Sequence, residues 1–373
     1  MTKCKLHKVG VTKWTINPHE VGHSKIPGNA TQGGNKKRVI DSMMDQVEYA
    51  GTLKLVQKTT KDCDGHKCVS TVSNFVCPSS LVGGKGMSVK SPKGLCNFHT
   101  HPLYCYEGAG SPNREDLCIW GWPSGEDMRE SIVFAMKGNL IHLIFAMEGV
   151  YAVQVNPWIV DYLIKRVESD NLRGMLVCVI ENYFKSTHGF RNCVYNQPKG
   201  KNICTPYDWM TFANNFNFGN LTETTKERCT KRLSCRGTPN TGGQNISWRD
   251  FLYDWDIENY HLTKKGLITE RNSANQKHVK LLEGGYDFFV KGVNALKAQP
   301  GWKQGQLFKV TFSHNHIKGI GTIKELLKKG PSTRDIYNLW TSFRNNPELV
   351  KFGTEEIKFE TPKVLTKGPC KLK

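Results

Sequence analysis

Long apolar runs are missing from this sequence of 373 residues. A helix needs ~20 consecutive apolar residues to cross a bilayer. The longest candidate, Leu140 to Val155, is interrupted by His142, Glu148 and Gly149. No membrane span is therefore expected. The opening stretch, Met1-Thr2-Lys3-Cys4-Lys5-Leu6-His7-Lys8, carries charge but no apolar core, so no secretory signal is expected either. Cysteine clustering is also lacking. The 13 cysteines are an odd number spread along the chain, unlike a small disulfide scaffold. Reduced thiols in a soluble, intracellular protein are the expectation. Acidic residues are scarce, with 33 Asp+Glu against 52 Lys+Arg and a formal charge of +19. That excess favours acidic partners, such as nucleic acid or an acidic protein surface.

What is present suffices for a packed protein. With 38% hydrophobic and 23% charged residues, and 17 Phe, 12 Tyr and 9 Trp, a wholly disordered chain is excluded. The length suggests two domains, at roughly 100–200 residues each, or one domain with large extensions. No internal repeat is found.

Residues 1–38 are basic and turn-rich and read as an extended arm. Residues 38–46 are helix-compatible, and Val47 to Val56 alternates like a strand. Asp62 to Cys68 reads as a hairpin tip, because Asp64-Gly65 suits a tight turn, with Val69 to Val76 returning as the partner strand. Gly94 to His99 reads as a buried strand. Ser131 to Met136 and Leu140 to Val155 suggest two or three more. After Pro157 the period turns helical: Trp158, Ile159, Tyr162, Leu163 and Val167 share a face, as do Leu172, Leu176, Val179, Ile180 and Tyr183. Residues 158–195 form a helical extension on this reading, and 196–373 an aromatic- and Lys-rich C-terminal region of unassigned fold. Within it, Ser332 to Asp335 resembles a helix start, followed by Ile336, Leu339, Trp340 and Phe343 at helical spacing.

The strongest chemical signal is Cys96-Asn97-Phe98-His99-Thr100-His101-Pro102. Residues two apart on a strand point to one side, so His99 and His101 can present imidazoles to one point. Pro102 then ends the strand. Asp116, opening a helix-compatible run, can supply a third ligand. Two imidazoles and a carboxylate leave a fourth position for water, the pattern of a catalytic zinc site. Glu48, in Glu48-Tyr49-Ala50-Gly51, is the carboxylate placed as general base.

Glu-x-x-Gly on an early strand, then His-x-His-Pro, then a Ser-x-x-Asp element, resembles the JAMM (MPN+) zinc metalloproteases. The resemblance covers roughly residues 39–156. It implies an α/β (α+β) fold of the cytidine-deaminase-like kind, a mixed β-sheet flanked by helices. It further implies Zn2+ on His99, His101 and Asp116, proton transfer by Glu48, and hydrolysis of an amide by zinc-activated water. The substrate class would be a protein carrying a ubiquitin-like modifier on an isopeptide bond. The family's oxyanion-donating serine, three residues before the aspartate, is here replaced by Asn113, with Ser111 two residues earlier; either can donate. Ser124-Gly125-Glu126-Asp127 matches Ser-x-x-Asp more closely, but it lies just before the strand expected over 131–136, so Asp116 is preferred.

Other patterns compete. His19-Glu20-Val21-Gly22-His23 fits the helical zincin signature His-Glu-x-x-His. Pro18 before it and Gly22 within it argue for a polar loop. His314-Asn315-His316 repeats His-x-His without a matching partner. Cys193, Cys204, Cys229 and Cys235 lack Cys-x-x-Cys spacing, and Cys63 and Cys68 flank a turn. Basic residues beside aromatics, as at Trp302-Lys303, Phe308-Lys309 and Phe343-Arg344, suit base stacking and phosphate contact. The rival to an enzyme is a non-catalytic assembly component of a virion or nucleoprotein particle.

Overall fold

In the computed structural model the described residues are 6–8, 13–26, 37–59, 71–76, 82–83, 94–106, 120–162, 206–215, 306–360 and 365–367, with a few isolated positions elsewhere. The strands are β1 (Leu6–Lys8), β2 (Lys13–Ile16), β3 (Lys25–Ile26), β4 (Lys37–Arg38), β5 (Tyr49–Thr59), β6 (Thr71–Val76), β7 (Val82–Gly83), β8 (Cys96–Thr100), β9 (Ile141–Phe145), β10 (Gly149–Val155), β11 (Phe308–Ile317), β12 (Gly321–Thr322), β13 (Val350–Phe352), β14 (Ile357–Glu360) and β15 (Leu365–Lys367). The helices are α1 (Pro18–His23), α2 (Val39–Ser42), α3 (Gly125–Met136), α4 (Pro157–Asp161), α5 (Pro206–Asn214), α6 (Ile323–Lys328) and α7 (Thr333–Asn345). This is a mixed α/β architecture. Its main sheet runs β12-β11-β10-β9-β8-β5-β6, with β13 beside β11 and β7 beside β5.

The chain divides into two compact units. The first comprises residues 1–121, 139–152 and 311–373. At its centre β8 pairs antiparallel with β5 and parallel with β9, so the sheet is mixed. Every residue of β8 and β9 is buried, as expected of strands enclosed on both edges and faces. Gly51 stands opposite Phe98 in the β5–β8 register. A Cβ on Gly51 would lie 2.6 Å from Phe98 Cε1, so the glycine of Glu-x-x-Gly makes room for that ring. Phe98 packs edge-on against Phe145, and Phe145 against Phe352. Burying a phenylalanine of this kind contributes ~1.5–3 kcal/mol.

Several sequence expectations change here. The N-terminal segment is not only an arm: β2 pairs with β14, and Trp14, Ile16 and Val21 are buried. His19 to His23 lies in α1 rather than in a loop, because Asn17 caps the helix by accepting the His19 N–H. Gly22 fits there because a side chain would meet the Phe352 ring. Residues 131–136 are not a strand but the end of α3, and strands follow only from Ile141. The β5–β6 pairing and α7 occur where the residue pattern places them. In α7, Ser332 and Asp335 cap each other's backbone N–H groups. Trp340 packs on Tyr106 and Trp120.

The second unit comprises residues 122–138 and 153–310. Its described elements include α3, α4 and α5. Within it the Asn156 backbone N–H donates to the Leu307 carbonyl at 3.0 Å, and Asn214 Oδ1 accepts the Val310 N–H at 3.1 Å. The hairpin tip at 62–68, most of the 158–195 extension, and Cys63, Cys68, Cys193, Cys204, Cys229, Cys235 and Trp302 lie outside the described residues. Among the described residues no helix is long and apolar enough to cross a membrane.

Candidate metal centre

Strand alternation puts Asn97, His99 and His101 on one face of the sheet. The parallel register sets His142 of β9 beside Asn97 on that same face. Pro102 ends β8, and the chain turns into a short 3-10 helix, Leu103–Tyr106.

The hydrogen bonds of the two imidazoles fix where their protons sit. His101 Nδ1 lies 2.9 Å from the Gly121 carbonyl oxygen, which only accepts. Nδ1 therefore carries the proton. His142 Nδ1 lies 2.8 Å from Asn97 Oδ1, again an acceptor. His142 in its neutral form thus leaves Nε2 bare, and Nε2 lies 2.8 Å from His99 Nδ1. His99 must donate from Nδ1. Both ligand-side nitrogens are then lone-pair bearers, and they face each other at 3.1 Å. Two lone pairs at that distance repel, so the contact is satisfied either by a proton on one of the rings or by a cation that both nitrogens bind. Orienting the second ring nitrogen by an outer hydrogen bond is the usual arrangement of metal-binding histidines.

The ligand atoms of His99, His101 and Asp127 all lie within 4.8 Å of one another, a group that can hold a metal ion. Asp127 is the third residue of α3. Its carboxylate accepts the Ser124 N–H at 2.6 Å, and Ser124 Oγ accepts the Asp127 N–H at 3.1 Å. This reciprocal cap fixes the start of the helix. Asp116, Asn113 and Ser111 lie outside the described residues; among the described residues the carboxylate that joins His99 and His101 is Asp127, of Ser124-Gly125-Glu126-Asp127. Glu48 is half-buried, directly before β5. Continuing the register in which Ala50 faces His99 sets Glu48 opposite His101. The Tyr49 N–H, donating to Thr100 Oγ1 at 3.0 Å, holds that alignment.

His314 and His316 sit on β11, with His314 Nδ1 3.2 Å from Glu355 Oε2, and they belong to no such group among the described residues. The same holds for His19 and His23. Their Nδ1 atoms lie against the Phe352 and His19 carbonyls respectively, and Glu20 is exposed.

Behind His101 lies a buried carboxyl that the sequence showed only as a break in an apolar run. Glu148 accepts from the Tyr106 and Tyr151 hydroxyls, each at 2.8 Å. Burial pushes its pKa up to about 7, against the lowering effect of its hydrogen-bond donors, the Gly121 backbone among them. The Gly121 peptide thus connects Glu148 on one side with His101 on the other. A Cβ on Gly121 would stand 2.0 Å from the Tyr106 hydroxyl and 2.9 Å from Ala146 Cβ. Tyr106 is pinned by Glu148 and by the Met147 N–H and cannot yield cheaply. Gly121→Ala is expected to destabilise the chain by ~1–3 kcal/mol through overpacking and to weaken metal uptake. Urea unfolding together with metal titration checks this; unchanged values for both would refute it.

No protein-family model matches the chain, and no solved structure matches it. Among curated proteins the chain is similar to the "Uncharacterized protein 3R" of Frog virus 3 (isolate Goorha). The two are 38% identical over 107 residues, which is 29% of this chain and 22% of that protein's length.

Proposed function

We propose that the chain is a zinc-dependent hydrolase of the JAMM kind, cutting an amide bond in a protein substrate. The observation that carries the reading is the convergence of the His99 and His101 Nε2 atoms, 3.1 Å apart, with Asp127 within 4.8 Å. Two imidazoles and one carboxylate suit zinc and leave room for a fourth, exchangeable ligand. When bound, zinc supplies a Lewis acid that brings the pKa of a coordinated water toward ~7.

The chain's own residues do the rest. His99 and His101, locked by their Nδ1 partners, present neutral donors without rearranging. Asp127 adds the negative charge that favours a divalent cation over a proton. Glu48, opposite His101, takes the proton from the attacking water and returns it to the leaving amine. With Asp127 as third ligand, the serine three residues before it is Ser124, so the Ser-x-x-Asp spacing of the resemblance is intact. The Ser124 hydroxyl is exposed and is the donor proposed for the developing oxyanion. By the same resemblance, a ubiquitin-like conjugate is the first substrate class to test.

Purified chain should carry about one zinc per molecule. Glu48→Gln should keep the metal and slow cleavage of ubiquitin-like conjugates by roughly 10²–10⁴-fold, the usual contribution of a general base. A wild-type chain that takes up no divalent metal, or cleavage indifferent to Glu48→Gln, would overturn the reading.

A further inference from the structure

His142 belongs to none of the motifs, yet it is 1% exposed and in direct contact with His99. Its surroundings form a directional series that begins at a group unable to reverse. The Gly94 carbonyl, just before β8, only accepts, and it takes a hydrogen from Asn139 Nδ2 at 3.0 Å. That contact sets which way the Asn139 amide faces. The same nitrogen donates to Asn97 Oδ1 at 2.9 Å, so the Asn97 carbonyl faces Asn139 and His142. Asn97 is fully buried on β8. Its oxygen then requires a proton on His142 Nδ1, and His142 Nε2 must accept from His99 Nδ1.

We propose that His142, oriented by Asn97 and Asn139, is a positioning residue that holds His99 with Nε2 bare and aimed at the metal. The inference rests on the metal-centre reading above. Metal-binding histidines commonly give their second N–H to a carboxylate, a carbonyl or water; here the acceptor is a neutral imidazole. Its own tautomer is set by Asn97, through a relay that starts at a backbone oxygen. A histidine that merely filled the core would need neither the Asn97 contact nor a particular tautomer.

The test uses the full chain. In the zinc-loaded wild type, long-range proton–nitrogen correlation should place a proton on His142 Nδ1 and none on Nε2. Zinc affinity, read by competition with a colorimetric chelator, should fall 10–100-fold in His142→Leu, the usual effect of losing an outer partner. His142→Gln should stay within a few-fold of wild type, because its amide oxygen can accept from His99 while its NH2 donates to Asn97. The visible spectrum of the cobalt-substituted chain should change in His142→Leu and be restored in His142→Gln. A folded His142→Leu with wild-type affinity, or a proton on wild-type His142 Nε2, would overturn the proposal while leaving the metal centre standing. If His142→Leu does not fold, the nitrogen measurement on wild type decides alone. Failure of wild type itself to take up zinc would instead remove the metal-centre reading, an outcome distinct from weakness confined to His142→Leu.

Discussion

Zinc affinity is expected to fall on the order of 10²-fold or more in Asp127→Asn. Losing an outer partner already costs 10–100-fold, and a ligand that carries the site's negative charge is worth at least that. The asparagine variant is chosen because Asp127 has a second task. Its carboxylate accepts the Ser124 N–H at the start of α3, and an amide oxygen can still do so. Loss of the charge near the helix N-terminus typically costs 0.3–1 kcal/mol. Thermal unfolding of the metal-free variant should therefore stay close to wild type while calorimetric zinc titration changes sharply. If a folded Asp127→Asn binds zinc as tightly as wild type, the ligand set of His99, His101 and Asp127 is wrong.

Stability is expected to fall as pH rises from about 5 to 8, and Glu148→Gln should flatten that slope. Glu148 has an ordinary pKa of 4.5, and burial holds it near 7 in the folded chain. Between those values the folded chain keeps the proton and the unfolded chain has released it. Stability therefore decreases as pH increases through this window. At 1.36 kcal/mol per pH unit the full effect is on the order of 3 kcal/mol, lost by the time pH passes about 7. Glutamine keeps the shape and removes the titration; the Tyr106 and Tyr151 hydroxyls can turn to accept from its amide. Other groups titrate across the same range, so the quantity to measure is the difference between wild type and variant in urea unfolding at several pH values. Parallel profiles, or a wild type that gains on the variant as pH rises, would show that the buried carboxyl does not behave this way.

The parts of the fold legible in the sequence were those whose period is local. β8 and β9 are short apolar runs, the β5–β6 pairing follows alternation, and α7 announces itself by Ser332, Asp335 and the apolar stripe behind them. His99 and His101 were legible for the same reason, since two residues on a strand share a face. Asp127 was obscured by the β-branched pair Ile132-Val133 and the aromatic Phe134, which read as strand. The Ser124–Asp127 capping pair, preceded by Pro123, is the competing helix-start signal, and the helix is what forms. His142 and Glu148 were visible only as interruptions of an apolar run. Their partners lie 43 residues away at His99 and 42 away at Tyr106, and no local pattern encodes a cross-strand register. The His-Glu-x-x-His stretch shows the converse: the helix forms, but Glu20 faces outward and no third ligand joins it among the described residues.

Strand β8 is bonded to a neighbour along each edge and buried throughout, so its backbone does not depend on an ion for its shape. In small zinc modules the folding energy is the metal's, and removing the ion dissolves the structure. On the proposed reading, β8 should keep its shape with and without zinc, so that His99 and His101 bind without a refolding step of that strand. Zinc occupancy of the proposed centre would then follow the free metal of its surroundings, not the history of how each molecule was made.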